Sequence, residues 1–296
     1  MFNFPIKYDE PVFRPPSEAY SLILQVTIGC SWNKCAFCEM YTSKKFKPKN
    51  IEQIKAEIKT FSEIAPDTRK IFLADGNAMV LSANKLLGIL ENINTSFPKV
   101  ARISAYAIAK DFEHKTIEEL TELKEAGLKL LYVGIETGDD QLLEMINKGE
   151  TADSTVKNLK KVKEAGIKLS VMIINGLGGK LYSDQHAINS AKVVNAIQPE
   201  YLSTLVLSFP YGIDHYQNKF KGTYNEMDIS ELLEEQLLFI SFTELDNVIF
   251  RSDHASNYLT LKGILSRDKE RMLDQLRSAI YDPGKASLRE EWQRGL

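Results

Sequence analysis

The chain has 296 residues, 44% of them hydrophobic and 26% charged, with 37 basic against 40 acidic side chains for a formal net charge of -3. Such a composition builds a substantial globular core, and the charge balance supplies no overall pull toward nucleic acid or an anionic membrane, although it leaves nucleic acid open as a partner. No apolar run approaches the ~20 residues of a membrane span, and Met1 to Glu10 lacks the apolar segment of a signal peptide, so a cytoplasmic protein with no membrane partner is expected.

Residues 1–19 carry Pro5, Pro11, Pro15 and Pro16 and are expected to form an extended arm. Ser21 to Ile28 is an apolar run rich in branched side chains, the pattern of a buried strand. Directly after it comes Gly29-Cys30-Ser31-Trp32-Asn33-Lys34-Cys35-Ala36-Phe37-Cys38, which holds all three cysteines of the chain. Their spacing, CxxxxCxxC, suits three ligands of an iron–sulfur cluster, and with no fourth cysteine downstream one iron would be left open. Zinc held by the three thiolates and one of His114, His186, His215 or His254 is the rival, although no second short ligand pair follows. Three buried structural cysteines would explain neither the clustering nor the glycine. Lys44, Lys45, Lys47 and Lys49 follow as a basic stretch, expected to be a solvated loop.

From there strands and helices alternate. Asn50 is a candidate N-cap for a helix over 51–64 with Ile51, Ile54, Ile58 and Phe61 at helical spacing. A strand over 70–74 ends at Asp75-Gly76-Asn77, a helix covers 84–92, and a strand runs from about 100 to 107. A helix with Ile117, Leu120 and Leu123 stops at Ala126-Gly127. Strand four, 128–135, runs into Glu136-Thr137-Gly138. Helices over 139–146 and 152–164 flank Lys148-Gly149, and Ala165-Gly166 precedes strand five, 167–174, which ends at Asn175-Gly176. A helix over 187–196 leads to strand six, 201–207. Leu123 to Gly138 and Val162 to Gly178 read as two copies of one helix, glycine, strand unit. A βαβ series of this kind implies a parallel sheet, open or partly closed, with ligands at the carboxyl ends of its strands. Cys30, Asp75, Glu136 and Asn175 all fall at such ends. After Pro210 the pattern changes to helices around 229–245 and 267–280, framing the polar run Arg251-Ser252-Asp253-His254-Ala255-Ser256-Asn257-Tyr258. Three regions are therefore expected: the arm 1–19, a core 20–210, and an extension 211–296 that covers the core and is too short on strands to continue it.

In motif order and cysteine placement, Tyr20 to Leu207 resembles the radical S-adenosylmethionine (radical SAM) superfamily, and within it the branch of coproporphyrinogen-oxidase-like, elongator-like and methylthiotransferase-like proteins. Phe37, the aromatic before the last cysteine, also matches, while the family's commonest spacing, CxxxCxxC, is one residue shorter than the one here. The resemblance implies an α/β fold, a partial (β/α)6 TIM-like barrel of parallel strands with a helical C-terminal extension. It implies a 4Fe–4S cluster on Cys30, Cys35 and Cys38, whose open iron chelates the amino and carboxylate groups of S-adenosylmethionine (SAM). Reductive cleavage of SAM would yield a 5′-deoxyadenosyl radical that takes hydrogen from an unidentified substrate, with an external donor of flavodoxin or ferredoxin type supplying the electron. Asp75, Gly76, Asn77, Glu136, Lys148, Asn175 and Gly176 stand where the family contacts SAM. His254 as a proton carrier and Tyr258 as a hydrogen donor are the candidate catalytic residues, with Arg251 a candidate for an anionic substrate group. The alternative function is a zinc-binding, non-redox α/β interaction module.

Overall fold

A computed structural model describes residues 6–294. The first five residues of the expected arm therefore lie outside the described residues. Eight strands make one sheet, and their order in it is their order in the chain: β1 (Leu22–Gln25), β2 (Lys70–Ala74), β3 (Arg102–Ala107), β4 (Leu128–Glu136), β5 (Lys168–Asn175), β6 (Tyr201–Val206), β7 (Ile249–Ser252) and β8 (Leu261–Ile264). The helices are α1 (Ile51–Ile64), α2 (Ala83–Ser96), α3 (Ile117–Glu125), α4 (Asp140–Met145), α5 (Ala152–Glu164), α6 (Gly179–Ile197), α7 (Ile213–Lys219), α8 (Ile229–Ser241) and α9 (Leu265–Tyr281). This is the mostly parallel α/β architecture of a partial TIM-like barrel. Among the described residues no helix is long and apolar enough to cross a membrane.

The described chain falls into two compact units. The first comprises residues 6–33, 38–133 and 158–169, and in it β1 pairs parallel with β2, β2 with β3, and β3 with β4. Local chemistry sets its helix ends. Asn50 caps α1 by accepting from Glu52 N and Gln53 N, and the buried stripe is Ile54, Ile58 and Phe61, with Ile51 left outside. Thr116 and Glu119 form a reciprocal capping box on α3. Gly127 and Gly166 end α3 and α5 at φ +105° and +80°, a conformation that costs glycine nothing. Residues 6–15 run irregularly beside β1, tied by Tyr8 Oη to Ile23 O and by a mutual pair between Asp9 and Gln25.

The expected strand 21–28 is interrupted at Val26, which donates to Ala74 O; Thr27–Ile28 then pairs antiparallel with Lys47–Pro48. The expected solvated lysine loop holds for Lys45 and Lys47, which are exposed, and is corrected for Lys44 and Lys49. Lys44 is buried on Asp75, and Lys49 pairs with Glu57 at 2.6 Å, because the chain folds back over the end of β1.

The second unit comprises residues 34–37, 134–157 and 170–294; β5 pairs parallel with β6, β6 parallel with β7, and β7 antiparallel with β8. Here the expectation of an extension too short on strands to continue the core is corrected, since β7 and β8 do continue the sheet. Four-residue strands leave too little apolar alternation to stand out in a polar run. α6 begins eight residues before its expected start, at Gly179 rather than 187, because its opening turns are polar and hide the periodicity. The Asp228–Glu231 capping box starts α8.

Candidate active site

In the first unit the site is built around the turn after β2. Asp75 is fully buried, and its Oδ2 accepts from Lys44 Nζ at 2.7 Å, Gly29 N at 3.0 Å and Gln25 Nε2 at 3.2 Å. Three donors on one buried carboxylate oxygen neutralise it and fix the start of the cysteine loop. Its Oδ1 has no hydrogen-bond partner. Gly29 has φ +70°, so the loop leaves the strand in a conformation suited to glycine. Asn77 is the second anchor: its Oδ1 accepts from Ser31 N at 2.9 Å, while its Nδ2 donates to Ser31 Oγ at 2.7 Å and to Asp111. Between them, Gly76 permits contact with Cys30, because a Cβ there would stand 2.7 Å from Cys30 Cβ and 2.9 Å from the Tyr41 ring. The side chains of Asp75 and Asn77 thus hold the loop of Cys30. Tyr41 is buried with an unpartnered hydroxyl, and burial, then Asp75 and the neighbouring Tyr106, Cys38 and Cys30, push its ionisation far up.

In the second unit Cys35 is held from both sides. Ala36 N donates to Ile146 O at 2.8 Å and Asn147 Nδ2 donates to Lys34 O at 3.2 Å, while Phe37 packs on the cluster of Ile146, Leu142 and Phe220. The turn that holds Cys35 leads into Lys148, which is buried and donates to Glu136 Oε1 at 3.1 Å. Burial pulls the Lys148 ammonium down, but the charges of Glu136 and Cys35 outweigh it and hold the group above its usual range. Glu136 itself has φ +67°, and its carboxylate lies over Gly134, where a Cβ would meet Oε1 at 1.9 Å. Gly134 is therefore part of the site, and only its place in the run Gly-Ile-Glu could have signalled it.

At the end of β5 Asn175 is buried, and its Nδ2 has no partner. Gly176, at φ +79°, donates its N–H to Glu235 Oε1 at 2.6 Å and accepts from Tyr224 Oη at 3.0 Å. Burial raises the Glu235 carboxyl to about 7, against the lowering effect of that N–H. His186, whose Nε2 lies 3.8 Å from Glu235, is lowered to about 4 by burial. Tyr224 and Glu235 carry no motif in the sequence; they reach Gly176 from 48 and 59 residues away.

Gly176 also lines a cavity of about 760 Å³ with Tyr258. His254 is not among its walls. Its Nδ1 accepts from Ser256 N and bonds Ser256 Oγ, closing a turn, and burial lowers its basicity. Arg251 is exposed on β7 and is likewise absent from that lining.

All three cysteines are half-buried thiols outside any disulfide. Among the described residues no three His, Cys, Asp or Glu side chains gather as they would around a single metal ion. The donor chemistry fits an iron–sulfur cluster: three reduced sulfurs on a loop hydrogen-bonded at Gly29, Ser31, Lys34 and Ala36, and no fourth cysteine to close it. Within the first unit buried Asp75 Oδ1 is an acceptor without a partner, and within the second buried Asn175 Nδ2 is a donor without one.

Comparison with known proteins agrees. Over 135 residues, 44% of this chain and 35% of the relative, the sequence is 29% identical to the heme chaperone HemW of Bacillus subtilis. It is 24% identical to an uncharacterized protein of Methanocaldococcus jannaschii, over 89% of this chain and 78% of that one. The chain thus spans only about a third of the length of HemW. In fold it is similar to the radical SAM enzyme coproporphyrinogen III oxidase (HemN) from Escherichia coli, with a TM-score of 0.55 at 16% identity, over 75% of this chain and 52% of that one. Residues 24–191 match the family profile of the Radical SAM superfamily, whose enzymes use a 4Fe–4S cluster and SAM and require a reductant and a substrate. With more than half its length matched, this chain belongs to the radical SAM superfamily.

Proposed function

We propose that the protein uses a 4Fe–4S cluster on Cys30, Cys35 and Cys38 to cleave SAM reductively and start a radical reaction on a substrate. When bound, the cluster would supply the electron for reductive cleavage of SAM, the chemistry that opens a substrate to hydrogen abstraction. The observation that carries this reading is the anchoring of the loop: Gly76 lies against Cys30 as only a glycine can, and Asn77 and Asp75 bind the residues on either side of that cysteine.

The chain's own residues then take these roles. Gly76 keeps space beside Cys30. Asp75 and Asn77 act mainly as positioning residues, with Asp75 Oδ1 free to accept from the SAM ammonium. The Lys148–Glu136 pair sets the electrostatics beside Cys35. Asn175 Nδ2 donates to the SAM nucleoside, and the Gly176 backbone, clamped by Glu235 and Tyr224, packs against it. Tyr258, on the wall of the cavity that Gly176 shares, is the candidate hydrogen donor, whereas His254 closes the turn that presents it. A donor of flavodoxin or ferredoxin type supplies the electron. Residues 20–210 serve as the catalytic core and 211–296 as the part that shapes the substrate side.

Anaerobic reconstitution tests this. The expected result is a brown protein with about four irons per chain, and 5′-deoxyadenosine on reduction with SAM. A colourless protein retaining one zinc, or a loaded cluster that never cleaves SAM, would overturn it.

A further inference from the structure

The cavity beside Gly176 lies at the carboxyl ends of β5 and β6, and its volume of about 760 Å³ is that of a small-molecule site. Val206, Leu207, Met227 and Leu232 make its walls apolar. One wall is different. Arg294 is 4% exposed, and its guanidinium stacks on the Tyr258 ring, 3.9 Å from the centroid. Its Nε donates to Ser256 O at 3.0 Å, and its Nη1 donates to Tyr258 Oη and to both oxygens of Glu291 at 2.7 and 2.9 Å. Nη2 has no acceptor among the described residues. A guanidinium carries five N–H donors in a fixed fork; Nη2 is not among the buried atoms left without a partner, so its two N–H groups are open to solvent and to a ligand on a residue that lines the cavity.

The fork is held rigidly. Arg289 donates to the carbonyl oxygens of Asp253, His254 and Asn257, and its own N–H donates to Tyr258 O. Residues 289–294 thereby strap the segment that carries Tyr258, so the idle edge of Arg294 is presented without a cost in side-chain ordering.

Building on the radical SAM reading, we propose that this cavity is the substrate pocket and that it takes a small monocarboxylate with an apolar body, its carboxylate on Arg294 Nη2. Charge decides among the possible acceptors. Glu291 already occupies Nη1, and Glu226 is a second carboxylate on the lining. A doubly charged phosphate would face both, whereas a single carboxylate needs only the free edge of one fork. The apolar walls then account for the remainder of the molecule.

The test is ligand-observed NMR on the cluster-loaded full chain, with a panel of aryl- and alkyl-carboxylic acids, each paired with its primary amide and a phosphate ester of similar size. Acids are expected to bind at least about tenfold tighter than their partners. Arg294→Gln should erase that preference, and Leu232→Trp, which adds bulk to the cavity wall from α8, should block acids and amides alike. The proposal falls if no acid binds below ~1 mM, if acids and amides bind equally, or if the preference survives Arg294→Gln. Binding needs neither reductant nor SAM cleavage. Selective acid binding by a protein that forms no 5′-deoxyadenosine would therefore uphold the pocket while sinking the proposed reaction.

Discussion

A Cβ placed on Gly76 would stand 2.7 Å from the Cβ of Cys30, closer than real Cβ atoms come. Gly76→Ala must therefore move the cysteine loop. Overpacking of this kind costs about 1–3 kcal/mol, and the variant is expected to fold with lower cluster content after reconstitution. Iron counting beside circular dichroism checks it; full loading would remove the proposed reason for the glycine.

Lys44 and Asp75 form a buried ion pair, and removing one partner leaves an uncompensated charge. Lys44→Met should cost about 3–5 kcal/mol in urea unfolding. Lys44→Met with Asp75→Asn should recover part of that loss, because the isolated carboxylate is gone. A double variant no more stable than Lys44→Met would show that the pair is not the cause.

Asn175 Nδ2 is buried without a partner. Asn175→Ala should weaken SAM binding by roughly tenfold, the worth of one hydrogen bond near 1–1.5 kcal/mol, with little change in unfolding free energy. Equilibrium dialysis with labelled SAM reads the first and denaturant titration the second.

Glu235 and His186 act on stability in opposite directions with pH. Burial raises the Glu235 carboxyl from 4.5 to about 7, so the unfolded state loses this proton first, and stability falls as pH rises between those values. Burial lowers His186 from 6.5 to about 4; the unfolded state holds more protons in that window, and stability rises with pH across it. Glu235→Gln should remove the fall and leave the rise exposed below pH 6.5. Unfolding free energies from pH 4 to pH 8 decide the matter; parallel curves for wild type and variant would contradict the assignment.

Tyr258 lines the cavity and His254 does not. Once a substrate is in hand, Tyr258→Phe should lower its turnover far more than uncoupled SAM cleavage. His254→Ala should cost about 1 kcal/mol of stability, through the turn at Ser256, and leave the ratio of the two activities near that of wild type. Product and 5′-deoxyadenosine quantified together distinguish these outcomes.

Much of the site was legible in the sequence because its signals are local. Three cysteines within nine residues, glycines at strand ends, and Asn50 as an N-cap each declare themselves over a few positions. Contacts between distant segments do not. Nothing near Lys44 in sequence marks it as buried; the fold-back that seats it on Asp75 joins residues 31 apart. Lys148 stands in the polar run Asn147-Lys148-Gly149, and only the turn after α4 seats it, buried, on Glu136.

The sequence by itself determined the alternation of strand and helix and the cysteine trio at the first strand end, because periodicity, capping and ligand spacing are short-range properties of the chain. Only the tertiary structure decided which carboxylates are neutralised, that Gly76 and Gly134 make room for Cys30 and for Glu136, that two short strands extend the sheet, and that Arg294 reaches a cavity beside Gly176. Those outcomes depend on burial and on pairings between remote segments, and topology, not local pattern, brings such segments together.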